Sequence, residues 1–148
     1  MADRVSVAVR IGGSLSPALL PALAAAIESD GASTDWEGTA FCPDELAPDQ
    51  PLYLVAHEVA WGRFDAIETF CVDHGLIFAR WAGGASGSFG PERLVFDGTD
   101  ARSFTASDDD EILMSVETVR GLGSYAAVLA HFAAADLKIP PFRADGSA

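Results

Sequence analysis

Val5-Ser6-Val7-Ala8-Val9-Arg10-Ile11-Gly12-Gly13-Ser14-Leu15-Ser16-Pro17 is the stretch that decides the fold. A β-branched apolar residue at every second position, with Ser6, Ala8 and Arg10 between them, is the period-two signature of a strand with one buried face. Gly12-Gly13 predicts the end of that strand. Ser16 followed by Pro17 then reads as an N-cap with proline at the first helical position, opening a helix that carries Leu19, Leu20, Leu23 and Ile27 to a stop at Gly31.

Outward from this unit, Thr34 to Phe41 is expected as a second strand, and Pro43, Pro48 and Pro51 with their acidic neighbours as an exposed loop. Leu52 to Val59 is a third strand. Asp65 to His74 carries Ile67, Phe70 and Cys71 at helical spacing before Gly75, and Leu76 to Trp81 resumes extended structure. The order βαββαβ matches the split βαβ, ferredoxin-like pattern, in which both helices lie on one face of an antiparallel sheet.

Downstream, Leu94 to Phe96 and Arg102 to Thr105 flank an Asp97-Gly98 turn. Ser107-Asp108-Asp109-Asp110-Glu111 offers capping residues for a helix through Val119, although the apolar positions from Ile112 fit either period, and Ser124 starts a last helix through Leu137. The expectation is an α+β fold: a ferredoxin-like βαββαβ sheet with a C-terminal ββαα extension and helices mainly on one face. Residues 1–139 read as one domain and residues 140–148, after Pro140-Pro141, as a flexible tail.

A chain of 148 residues is long enough for one core, and 49% of it is hydrophobic, yet it carries a net charge of −13 from 22 acidic and 9 basic residues. No Lys or Arg occurs between Arg10 and Arg63. Nucleic-acid affinity comes largely from basic side chains neutralising phosphates, so DNA and RNA are excluded as partners, and anionic membranes with them. Met1-Ala2-Asp3-Arg4 lacks the apolar region of a signal peptide, and Leu15 to Ile27 and Tyr125 to Leu137 are too short to span a bilayer. A cytoplasmic location is expected, with Cys42 and Cys71 as free thiols.

Strand parity supplies the candidate site. Tyr53, Val55, His57, Val59 and Trp61 share one parity. If helices cover the valine side of the first strand, Arg10 faces the open side and lies near Tyr53, His57 or Trp61, provided the first and third strands are neighbours. Arg80 of the fourth strand is expected to join them. Two forked arginine donors beside aromatic rings suit an anionic, partly aromatic ligand. The simpler reading covers the open face with the C-terminal helices or a second subunit and pairs the arginines with local carboxylates.

Other motifs carry less. His57-Glu58 lacks the second histidine of a metallohydrolase helix. Cys71 and His74 have the spacing of half a metal site, but core packing explains Cys71, and a favourable helix C-terminus explains His74. Gly12-Gly13-Ser14 lacks the Lys-Ser/Thr of a phosphate loop, the Gly83 to Gly90 stretch runs into Pro91 and another strand and not a helix, as a mobile hairpin connection would, and Asp108 to Glu111 lacks the ligand spacing of a calcium loop. No metal or cofactor is expected. The composition points to a small acidic protein-binding or regulatory module that self-associates through a sheet face, or that offers carboxylates to a basic partner in place of DNA. The alternative is a small enzyme or carrier for an anionic molecule, with Arg10 and Arg80 as anion holders and His57 as general acid or base.

Overall fold

The computed structural model describes residues 4–144. The chain is α+β, with strands β1 (Arg4–Ser14), β2 (Leu52–Ala60), β3 (Ile77–Ala82), β4 (Glu92–Phe96), β5 (Ala101–Thr105) and β6 (Phe142–Arg143). Its helices are α1 (Leu20–Ser29), α2 (Asp65–His74), α3 (Val116–Leu122) and α4 (Tyr125–Ala135). The sheet order is β2-β1-β3-β4-β5, antiparallel throughout, with β6 added parallel to the far end of β1.

Val7, Val9 and Ile11 are at most 1% exposed and face the two helices. Leu23 and Ile27 of α1, Ile67, Phe70 and Cys71 of α2, and Leu54 and Phe78 from the flanking strands complete this core. Each such side chain contributes about 1.5–3 kcal/mol by leaving water, which makes this layer the main source of stability. The helices are also joined through hydrogen bonds. The Asp30 carboxylate, just past α1, accepts from Ile67 N at 2.8 Å and Ala66 N at 3.3 Å, satisfying donors at the start of α2 that no intrahelical carbonyl can reach. Burial raises the Asp30 carboxyl above the usual range, against the lowering effect of these bonds.

Several expectations need correcting. The strand expected over residues 34–41 does not form. Asp35 Oδ1 accepts from Glu37 N and Thr39 N, both at 3.1 Å, and Thr34 N donates to Thr39 O, so a local turn takes the groups a ladder would need. Among the described residues, only Ser33 bridges the outer edge of β2, at Val55.

Gly12-Gly13 does not end the first strand, because residues near the C-terminus supply its continuation. Gly13 N donates to Pro141 O at 3.0 Å and Leu15 N to Arg143 O at 2.8 Å. Gly12 is required there, since a Cβ would overlap the Pro140 carbonyl. The tail expected from residue 140 is therefore docked at least through β6, with Phe142 buried in the main core.

Residues 107–111 form a closed turn, not a helix start. Ser107 Oγ accepts from Asp109 N and Glu111 N, and Asp110 has φ +60°. The helix begins later, at Val116, where Ser115 Oγ accepts from Thr118 N. Finally, the helices divide between the two faces: Ala135 at the end of α4 packs on Ala79, Val95 and Phe104, opposite α1 and α2.

Candidate functional site

β1 and β2 are neighbours, with Arg10 paired to Tyr53 and, on the other side, to Ala79 of β3. Paired residues share a face, so Arg10, Tyr53 and Ala79 lie together on the side away from α1 and α2. One pleat along, Ala8 pairs with Trp81, and Trp81 pairs with Arg93 of β4. The two alanines leave a depression flanked by large side chains. The result is a cleft of about 380 Å³ with Ala8 and Ala79 at its base, Arg10, Tyr53 and Trp36 on one side, and Trp81, Arg93 and Asp108–Asp110 on the other.

The walls are anchored differently. On one side, His57 Nε2 lies 3.2 Å from the Trp36 carbonyl oxygen and the two rings pack at a 45° tilt with centroids 4.8 Å apart, so His57 holds the Trp36 loop over the strand. On the other, Trp81 Nε1 donates to Ser107 O at 3.0 Å, and Arg93 donates to Asp110 Oδ1, Asp136 Oδ1 and the Ala135 carbonyl within 2.9 Å. Arg93 thus ties both the 107–111 turn and the end of α4 to the sheet. Burial alone would lower the Arg93 guanidinium, but its two carboxylate partners raise it above its ordinary value. Arg10 is exposed and has no carboxylate partner among the described residues. A second cleft of about 420 Å³, lined by Arg10, Pro51, Lys138 and Ile139 among others, continues from the first beneath the end of α4.

Of the residues singled out by parity, Arg10 and Tyr53 line this cleft, and His57 stands beside it behind Trp36. Trp61 does not join them. Val7 pairs with Ala56 and Val5 with Val59, so His57 and Glu58 together oppose Ser6 in a β-bulge, with Glu58 at φ +54°. The extra residue inverts the alternation: Val59 turns into the helix-side core, and Trp61 lies past the strand end near Phe89, at 6.4 Å.

Arg80 is on the opposite face. It is paired with Val9 and Leu94, is 2% exposed, and donates to Glu68 at 3.2 and 3.3 Å and to Glu92 at 3.0 Å. Burial raises the Glu68 carboxyl, outweighing the lowering effects of Arg80 and of the Phe64 N–H it accepts at 2.7 Å. This is a structural ion triad beneath α2. Its face was legible: Arg80 shares parity with Phe78, a core residue, whereas Ala79 and Trp81 carry the other parity. That alternation would also have found Trp81. Trp36 and Arg93 had no comparable signal, because one depends on a loop conformation and the other on distant partners.

Cys71 is buried, and desolvation, with a smaller contribution from Glu68, pushes its thiol up to about 12, leaving it poorly suited to act as a nucleophile. His74 packs against Phe70, ring centroids 4.3 Å apart and tilted by 44°. Among the described residues no group of three His, Cys, Asp or Glu side chains is arranged to hold a metal ion, and no helix is long and apolar enough to cross a membrane. Compared with protein-family models, curated proteins and solved structures, the chain finds no significant match to any of them.

Proposed function

We propose that this chain is a small acidic protein-binding module that self-associates, and that the associating surface is the α3–α4 pair and not the sheet face. The observation that carries this reading is an exposed apolar surface free of net charge. Val116 is 59%, Tyr125 77% and Leu129 50% exposed, with Leu113 and Val119 beside them in sequence. α3 buries no residue and α4 only Ala135, although α4 contains no Asp, Glu, Lys or Arg. A helix that apolar normally has a partner on more than one side.

Charge selects a second copy as that partner. Between Ile112 and Ala135 the only Asp, Glu, Lys or Arg residues are Glu117 and Arg120, one of each sign, in a chain of net charge −13. A basic partner would be drawn to the acidic remainder instead. A neutral patch is where two copies approach with the least short-range repulsion. About a two-fold axis, antiparallel α3 helices bring Glu117 of each copy to Arg120 of the other.

The rest of the molecule is read as its scaffold. β2-β1-β3 with α1 and α2 on one face is what a ferredoxin-like unit keeps when its outer strand is reduced to a single bridge at Ser33, and β4 to α4 form the C-terminal extension. Free Cys42 and Cys71 are in keeping with a reducing, cytoplasmic setting.

Sedimentation equilibrium tests the proposal. Wild type is expected to be dimeric, and Glu117→Arg and Leu129→Glu monomeric with unchanged circular dichroism. The charge-reversed double variant Glu117→Arg/Arg120→Glu is expected to recover the dimer. A wild-type chain that stays monomeric across the concentration range overturns self-association, and a dimer indifferent to these changes overturns the surface.

A further inference from the structure

Self-association leaves the cleft beside Arg10 unexplained. Its base is made of small side chains where both neighbours in the same pleated layer are large: Ala8 is paired with Trp81, and Ala79 with Arg10. Filling the sheet surface would have been simple with a larger apolar residue at position 8, as Val95 and Phe104 do beneath α4, whereas Ala79 is held small by Ala135 above it. Trp36, Tyr53 and Trp81 give the cleft aromatic walls, suited to a flat ring.

Charge is separated across it. Arg10 stands on β1, two strands from Arg93 on β4 and two residues along from it, which places their Cα atoms about 12 Å apart at the usual ~4.8 Å strand spacing and ~3.4 Å rise. Arg93 is occupied by Asp110 and Asp136. Asp108 and Asp109 beside it are exposed and form no salt bridge among the described residues. The residues lining the cleft therefore include an unpaired cation at one side and unpaired aspartates at the other. A simple anion would meet Arg10 but also the aspartates and the field of a chain carrying −13. A simple cation would meet Arg10 unfavourably.

We propose that this cleft binds a flat, elongated molecule with a carboxylate at one end, held by Arg10, and a positively charged group at the other, held by Asp108 and Asp109, its ring lying over Ala8 between the tryptophans, at the edge of Ala79. The anionic ligand expected from strand parity becomes a zwitterionic one, because the 107–111 turn brings aspartates to the second wall.

Saturation-transfer NMR and calorimetric titration with 4-(aminomethyl)benzoate, 4-methylbenzoate and 4-methylbenzylamine test it with three molecules of nearly one shape. Saturable binding of the first is expected, more than about 10-fold tighter than of either singly charged analogue, as for loss of one charge-assisted contact. Arg10→Gln, at an exposed position, should remove the preference over the amine. Asp108→Asn/Asp109→Asn should remove the preference over the benzoate. Ala8→Phe should abolish binding of all three by filling the base. A second copy of each experiment on the monomeric Glu117→Arg variant separates this site from self-association. No saturable binding of the zwitterion by the folded wild type, equal binding of 4-methylbenzoate, or a response unaltered in Arg10→Gln would each overturn the proposal.

Discussion

Arg80 and Arg93 are buried arginines on neighbouring strands, pointing to opposite faces of one sheet, and the layers they hold are unequal. Arg80 sits under α2 within the main core, bonded to Glu68, whose side chain is only 14% exposed. Arg93 sits under the end of α4, above a small cluster of Ala79, Val95, Phe104 and Ala135, and its partners Asp110 and Asp136 are 32% and 69% exposed. On the first face apolar packing does most of the work, and the ion triad fills a polar gap within it. On the second there is little apolar packing, and a single guanidinium joins a turn and a helix end to the sheet. The first arrangement makes a foundation; the second makes an attachment that leaves room for a cleft and an exposed helix pair.

The contrast is sharpest under mutation. Arg80→Ala strands the buried Glu68 carboxylate and is expected to cost about 4 kcal/mol in urea unfolding. The loss should also depend on pH. Glu68 already has a folded-state value raised above its ordinary 4.5, so its contribution to stability is fully present below 4.5 and is lost as pH rises through the folded value. Removing Arg80 removes a lowering influence and moves that value further up, so the deficit relative to wild type should be larger at pH 8 than at pH 4. A deficit that is the same at both would mean Glu68 is not the stranded group.

Phe142→Ala belongs to the same face. Phe142 is 4% exposed in the main core, and its loss should cost about 3 kcal/mol, read from the shift in urea midpoint. A near-neutral result would mean that the C-terminal strand is dispensable. Arg93→Ala is expected to cost less, about 2 kcal/mol, because its carboxylate partners regain water when it is removed. Its effect should also be local: hydrogen exchange should speed up in α4 and around Ser107 while α1 and α2 keep their protection. Uniform acceleration would erase the distinction between the two faces.

What the sequence disclosed follows the same division. β1, β2, α1 and α2 were legible because their apolar periodicity reflects the main core directly. The 34–41 stretch misled because Thr34 and Phe41 bracket an aspartate whose side chain bonds the backbone two and four residues on, a local competitor that residue types alone do not rank against a ladder. The 107–111 turn misled in the same way, through Ser107. Parity brought Arg10 and Tyr53 together correctly and lost Trp61 at a single bulged residue. The continuation of β1 through Gly12 and Gly13 was invisible, since its partner lies at residues 142 and 143.

That last pairing has a kinetic consequence. Joining Gly13 to Phe142 closes nearly the whole described chain into one loop, so the entropy of closure falls due before the contact returns anything. β6 should consequently dock after the folding transition state, and Phe142→Ala should quicken unfolding while leaving the refolding arm of the chevron nearly unmoved.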